Sequence, residues 1–402
     1  MNSVHTSTSK VQSLHIAAID ILRALTMILM IFVNDLWSLT KIPEWLGHVP
    51  SGVDGIGLAD VVFPAFLFIV GLSLPYAISN RRGRGESNGK LALHVLARTI
   101  ALLIMGVYLV NGETINAMAT GIPRPVWNSV CCICFILIWN SYPTSFSKVV
   151  VGALRVLAIS ILIVFAILYR GGEDSSLQYF SPQWWGILGL IGWAYGMTGL
   201  PLIVMRNSFY GVFGAWLFFA LLSMLYHEGV VPPVLNFIPN AILGGTLVAL
   251  TLGGSCVSLL VQIFSAGKRH VRLSVVLVFV AAGLIILSLV TRPYWGLAKL
   301  GATPAWLFLC SAYTTVAFLF VYWLTDILGK SHWFKFIKPA GTATLLCYLI
   351  PYLVYAFTPA VGISVPDIFL EGPLGLLKSF SFALLCVILT GALLRLGVKM
   401  KL

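Results

Sequence analysis

IDILRALTMILMIFVNDLW (residues 19–37), KIPEWLGHVPSGVDGIG (41–57) and LADVVFPAFLFIVGLSLP (58–75) follow one another near the start of the chain. The first and third stretches are apolar over about the 20 residues that an α-helix needs to cross the ~30 Å hydrocarbon core of a bilayer. Their facing ends are polar. Asn34 and Asp35 close the first, His48 and Asp54 lie in the loop, and Asp60 opens the next. Only 9% of the 402 residues are charged and 59% are hydrophobic, whereas a soluble domain carries about 25% charged residues. In so apolar a chain, ionisable groups gathered at one place mark a functional site.

Similar apolar blocks recur to the C-terminus. Spans are expected near residues 16–36, 58–79, 92–110, 125–142, 148–168, 183–204, 208–228, 240–264, 272–291, 305–327, 339–357 and 375–396. Only a short Pro/Ser stretch separates 125–142 from 148–168, and merging or dropping one of them leaves eleven. The fold class is all-α: a polytopic integral membrane bundle of about 11–12 transmembrane helices. The first run is too long for the apolar part of a signal peptide and lacks a small-residue cleavage site, so it reads as a retained span. No linker is long enough to divide the chain, so one transmembrane domain is expected over 1–402, with its motif region at 16–79.

The formal net charge of +12 has a topological explanation. Sixteen Lys and Arg, from Lys10 to Lys401, fall in loops on one side. Six (Lys41, Arg124, Arg170, Arg292, Lys299 and Lys378) fall on the other. Basic residues accumulate on the cytoplasmic side, so both termini are placed in the cytoplasm and the His48 loop outside. No nucleic-acid partner is needed to account for the charge. The external loops carry aromatics, among them Tyr179, Phe180, Trp184, Trp185, Tyr294 and Trp295. These suit the membrane interface, and an aromatic vestibule also suits stacking on a sugar. The seven cysteines, including Cys131, Cys132 and Cys134, fall almost wholly within apolar runs. With no CxxC or paired Cys/His spacing, they read as packing residues, and no metal is expected.

Few residues can carry chemistry. Asp20 and Arg23 are three apart and share a helix face, either as an ion pair at the cytoplasmic interface or as part of an anion site. His48 is a candidate base, since imidazole titrates near neutral pH and a neighbouring amide or carboxylate can orient it. His5, His15, His94, His227, His270 and His332 show no comparable setting. Asp326 precedes GKSHWFKFIKPAG, where Lys330, His332, Lys335 and Lys338 alternate with Trp333, Phe334 and Phe336. That segment suits either the phosphates and adenine of a nucleotide-bearing cofactor or an interfacial helix on anionic lipid.

The order IDILRALTMILMIFVN…H…LADVVFPAFLFIVGLS resembles the opening of the transmembrane acyltransferases related to heparan-α-glucosaminide N-acetyltransferase. Those proteins begin LDxxRGLT, continue to MIxVN and then read HAxWNGxTxADLVFPxFLFIVG. WWGILGLIGWAYG at 184–196 and ATPAW…YWLTDILGKSHWFKFIKPAGT between Ala302 and Thr342 resemble the bacterial branch. The resemblance implies transfer of acetyl from cytoplasmic acetyl-CoA to the amino group of a glucosamine-type sugar across the membrane. It implies His48 as the reactive residue, with Asn34 and Asp60 beside it. Arg23, Lys268, Arg269, Lys335 and Lys338 are the candidate contacts for acetyl-CoA. The implied setting is a bacterial inner membrane, with an amino-sugar acceptor and membrane lipid as partners, and a homodimer is compatible with the sequence. The chain departs from the pattern in having no WNG after the histidine and two extra residues before LADVVFP. It also has Ala24 after Arg23, Ala343 after PAGT, and no Gln-Arg pair in VWNSVCCICFILIW. Two other readings stay open: a sugar or small-solute transporter, and an acyltransferase for a lipid or polysaccharide hydroxyl.

Overall fold

Runs of Leu, Ile, Val, Ala and Phe in hydrocarbon fold as helices because every backbone N–H and C=O must be satisfied within the segment. The computed structural model follows this rule and describes residues 16–362 and 364–402. Lys10, His5 and His15 lie outside the described residues. Twelve principal helices are present: α1 (Ala17–Asp35), α2 (Leu58–Gly83), α3 (Asn88–Glu113), α4 (Arg124–Trp139), α5 (Lys148–Leu168), α6 (Ile187–Val204), α7 (Phe209–His227), α8 (Thr246–Ala266), α9 (His270–Trp295), α10 (Pro304–Tyr322), α11 (Thr344–Ala360) and α12 (Gly372–Arg395). α10 continues through a π-helical turn, Trp323–Ile327.

Ten of these helices are long and apolar enough to cross a membrane, which makes the protein an integral membrane protein. The two remaining candidates depart from a simple span. α11 is joined to the segment Lys330–Thr342 at a 73° bend, so the pair forms one broken span or a re-entrant loop. α4 has 16 residues, about 24 Å of helix at 1.5 Å per residue and short of the hydrocarbon thickness. It nevertheless links the two ends of the bundle. Trp127 Nε1 donates to Tyr108 O, and beyond its last turn Lys401 N donates to Trp139 O.

Loops fall alternately at two ends. At one end Gly55 N donates to Leu297 O, Thr40 N to Leu370 O and Asn116 N to Arg170 O. At the other, Arg82 donates to Ile203 O, and both Asp326 carboxylate oxygens accept from Ala17 and Ala18 N at 2.9 and 2.8 Å. A carboxylate there satisfies orphan N–H groups and complements the positive end of α1.

Small residues let the central helices approach closely, the usual packing device between helices in lipid. A Cβ at Gly71 would strike Thr251 O, one at Gly254 would strike Phe68 O, and Ser255 Oγ donates to Gly71 O at 3.0 Å. Thus α2 and α8 cross backbone to backbone. Gly106 of α3 meets Gly189 of α6 in the same way. The outer helices α5 and α9 keep most of their apolar surface exposed, as hydrocarbon-facing helices do.

The bend before α11 places irregular backbone inside the bundle, which is tolerated where protein or a cavity surrounds it. The carbonyl of Gly341, at the break, accepts from Arg23 Nη1 at 3.1 Å. Gly341 itself lies where a Cβ would strike Asp20 O.

Candidate active site

His48 sits in the loop between α1 and α2, after a short 3₁₀ turn at Glu44–Leu46. Asp60 is the third residue of α2 and its side chain is 3% exposed. Its Oδ2 accepts from Gly57 N and Val49 N, each at 3.0 Å. Its Oδ1 lies 2.7 Å from His48 Nδ1. Two backbone donors and the positive end of α2 favour a carboxylate here, and a carboxylate can only accept. Nδ1 therefore carries a proton, which in a neutral imidazole leaves the lone pair on Nε2. Gly57 permits this loop path, because a Cβ there would collide with Gly47 O. Trp306 Nε1 of α10 donates to Asp60 O at 3.0 Å, fixing the start of α2 from behind.

A third group approaches from 251 residues away. Lys299 Nζ is 3.2 Å from His48 Nδ1 and 3.3 Å from Nε2. Near-equal distances to both ring nitrogens, with Nδ1 already bonded to Asp60, put the ammonium out of the imidazole plane. Burial pushes the pKa of Lys299 below the ordinary lysine value, with the Asp60 charge opposing that shift. The loop bearing Lys299 is clamped on two sides. Asp54 Oδ1 accepts from Leu297 N at 2.7 Å, and its carboxylate pairs with Arg292 Nε at 3.0 Å. The Leu297 N–H, and then the Arg292 guanidinium, hold the Asp54 carboxyl below its ordinary range. On the other side His227 Nε2 contacts Gly301 O at 2.9 Å.

Two large cavities enter the bundle from opposite ends. That at the His48 end has a volume of about 520 Å³ and is bordered by Asn34, Trp37, His48, Glu113, Trp185 and Tyr355, among others. That at the other end, about 750 Å³, is bordered by Arg23, Asn80, Arg81, His94, Arg98 and the Gly341–Leu346 bend. Both are bordered by Leu188 and Tyr348, which therefore stand between the two cavities.

The candidates read from sequence separate into groups. His48 and Asp60 are in contact, and Asn34 shares their cavity wall. Arg23 lies on the opposite cavity. Its guanidinium bonds Asp20 at 3.0 Å, as the three-residue spacing predicts, and also Ser73 Oγ and Gly341 O. Lys268 and Arg269 border neither cavity; with His270, Arg272, Trp323 and Ile327 they line a separate open depression of about 500 Å³. Lys335 and Lys338 are exposed and border none of the three. Asp326 caps α1. The cysteines are free and buried, and no metal-binding group is present among the described residues. Of the external aromatics, Trp185 borders the His48 cavity, and Phe180 packs against Tyr108, Trp127 and Tyr169.

Sequence reasoning missed two features. In the sequence Lys299 stands out only as one of six basic residues in the external loops, although its loop directly precedes ATPAW. Asp35 proves to anchor a buried network: it accepts from Tyr355 OH, Lys378 Nζ and Ser379 Oγ, each at 2.6 Å. These contacts bind the ends of α1, α11 and α12 around the His48 cavity.

Fold and site together define a polytopic helical membrane protein with a carboxylate-oriented histidine on a deep cavity. Residues 15–203 match a family model described as "Domain of unknown function (DUF5009)". Heparan-alpha-glucosaminide N-acetyltransferase of Mus musculus is 34% identical over 97 residues, and that of Homo sapiens 32% over 98. Each alignment covers 23% of this chain and 13% of the relative, so the chain matches only a small part of the length of these curated relatives. The matches make part of the chain similar to these N-acetyltransferases.

Proposed function

We propose that the protein moves an acetyl group from acetyl-CoA, entering at the Arg23 end, to the amino group of a glucosamine-type sugar at the His48 end. The observation that carries this reading is the pair of cavities that share Leu188 and Tyr348 as wall residues, with His48 and Asp60 at one end and basic side chains at the other. Acetyl-CoA is too polar to cross a bilayer, and the acceptor lies on the far side. A donor lying through both cavities brings its thioester to His48 while its phosphates stay near Arg23, Arg81 and Arg98. The charge bias of the loops supports a cytoplasmic Arg23 end and an external His48 end, with both termini cytoplasmic. The bacterial inner membrane is the setting this reading assumes.

Asp60 holds the His48 tautomer in which Nε2 is free to take a proton from the attacking amine, or to accept the acetyl group itself. Asn34, on the same wall, is placed to orient the acceptor. Trp37 and Trp185 offer ring faces to a sugar, and Glu113 offers a carboxylate to its ammonium. Among the expected cofactor contacts, Arg23 is the one that borders the donor cavity, while Lys268, Arg269, Lys335 and Lys338 are placed to meet lipid headgroups instead.

The test is thiol release and acetyl transfer from acetyl-CoA to glucosamine by purified protein in detergent. His48→Ala is expected to lower the rate at least ~10²-fold, the scale of general acid–base catalysis, with CoA still raising the thermal midpoint. An unchanged rate in His48→Ala overturns the reading, and solute flux without thiol release would identify a transporter instead. Acetylated His48 trapped by mass spectrometry would establish the two-step route.

A further inference from the structure

We infer that Lys299 is a catalytic residue of this site, its ammonium supplying the hydrogen bonds that stabilise the oxyanion formed when the thioester carbonyl is attacked. The inference rests on the acyl-transfer reading above and assigns to it a residue drawn from a distant loop.

Geometry carries the assignment. An ammonium has three donors and no acceptor. Lys299 Nζ lies 3.2 Å from Nδ1 and 3.3 Å from Nε2, and near-equal distances to the two nitrogens put it out of line with the Nε2 lone pair. Among the described residues no carboxylate or carbonyl oxygen takes one of its N–H groups within hydrogen-bond distance. The contact is open to the site, so the remaining N–H groups of the ammonium are available to a bound ligand. Asp60 does not take them up directly, since its oxygens are occupied by His48, Val49 and Gly57. An acyl carbon reacting at or beside Nε2 places its oxygen close to that nitrogen, within reach of a donor 3.3 Å away. The Asp54–Leu297–Arg292 clamp and the His227–Gly301 contact hold the Lys299 loop in position beforehand, as an oxyanion site requires.

In the direct route the amine nitrogen attacks the carbonyl carbon, a C–N bond forms, and the carbonyl π pair moves to oxygen beside Lys299. His48 Nε2 takes the proton that the nitrogen releases. When the oxyanion pair returns, the C–S bond breaks, and the departing CoA thiolate takes the proton from His48. Lys299 keeps its own protons throughout.

The experiment compares steady-state thiol release from acetyl-CoA by wild type, Lys299→Met, Lys299→Gln and Lys299→Arg. Removing an oxyanion donor typically costs about 10²–10³-fold in kcat. Lys299→Met is expected to show that loss with the KM for acetyl-CoA changed less than about threefold, and Lys299→Arg to recover at least about tenfold of it. A merely structural lysine would not be rescued in kcat alone. A kcat in Lys299→Met within about threefold of wild type overturns the inference, as does a loss confined to KM. Should Lys299→Met fail to fold, Lys299→Gln is read by the same criteria. Wild type that releases no thiol from any acyl-CoA overturns the underlying reading instead, so the two failures are distinguishable.

Discussion

At the scale of single residues, the site depends on three charged or titratable groups that face one another from separate elements: His48 in the loop, Asp60 on α2 and Lys299 before α10. Cys310 of α10 is the further titratable group that bears on Lys299. Because burial lowers the Lys299 pKa, its ammonium is lost at a lower pH than a solvated lysine's. Activity that needs the ammonium is intact below that lowered value and declines as pH rises through it. The pH profile of kcat is therefore expected to fall on its alkaline side before the ordinary lysine range of about 10.4. Lys299→Arg should move that limb upward, since guanidinium keeps its proton. An alkaline limb unmoved by Lys299→Arg would assign it to another group. The Asp20–Arg23 pair was legible from its spacing alone, because i and i+3 side chains share a helix face. The Lys299–His48 contact was not, since no local rule couples positions 251 residues apart.

At the scale of elements, the crossing of α2 and α8 holds the site in place, because α2 carries Asp60 at its start. Gly71→Leu is expected to cost about 1–3 kcal/mol or more through overpacking, seen as a lower thermal midpoint in detergent. Gly83→Leu, at the end of the same helix where a Cβ meets open space, should leave the midpoint nearly unchanged. Equal midpoints for the two variants would refute the close-crossing argument. The helix that sequence alone described least well is α11. Its hydrophobicity predicts a span, but the 73° bend at Ala343 depends on Arg23 and Gly341 meeting from different parts of the chain. Likewise Asp35, which reads as a polar end to the first span, draws its meaning from Tyr355, Lys378 and Ser379. A buried pair such as Asp35–Lys378 is costly to break one partner at a time.

At the scale of the whole molecule, Leu188 and Tyr348 border both cavities and so stand between them. Leu188→Trp is expected to abolish acetyl transfer by filling the junction, whereas Leu188→Ala should retain it. Full turnover in a folded Leu188→Trp protein would show that the donor does not pass between the cavities.

The sequence by itself determined the membrane class, the positions of ten spans and the residue types at the ends of α1 and α2. Hydrocarbon thickness and backbone hydrogen bonding act locally, and a run of apolar residues records both. Tertiary structure alone decided which basic residues border the larger of the two cavities. It placed Arg23 there and left Lys268, Arg269, Lys335 and Lys338 outside, and it turned Asp326 into a helix cap. It also brought Lys299 over His48. These contacts depend on how twelve helices pack, which small residues such as Gly71 and Gly254 govern by setting how closely backbones approach, and that distance is not a property of any one stretch of chain.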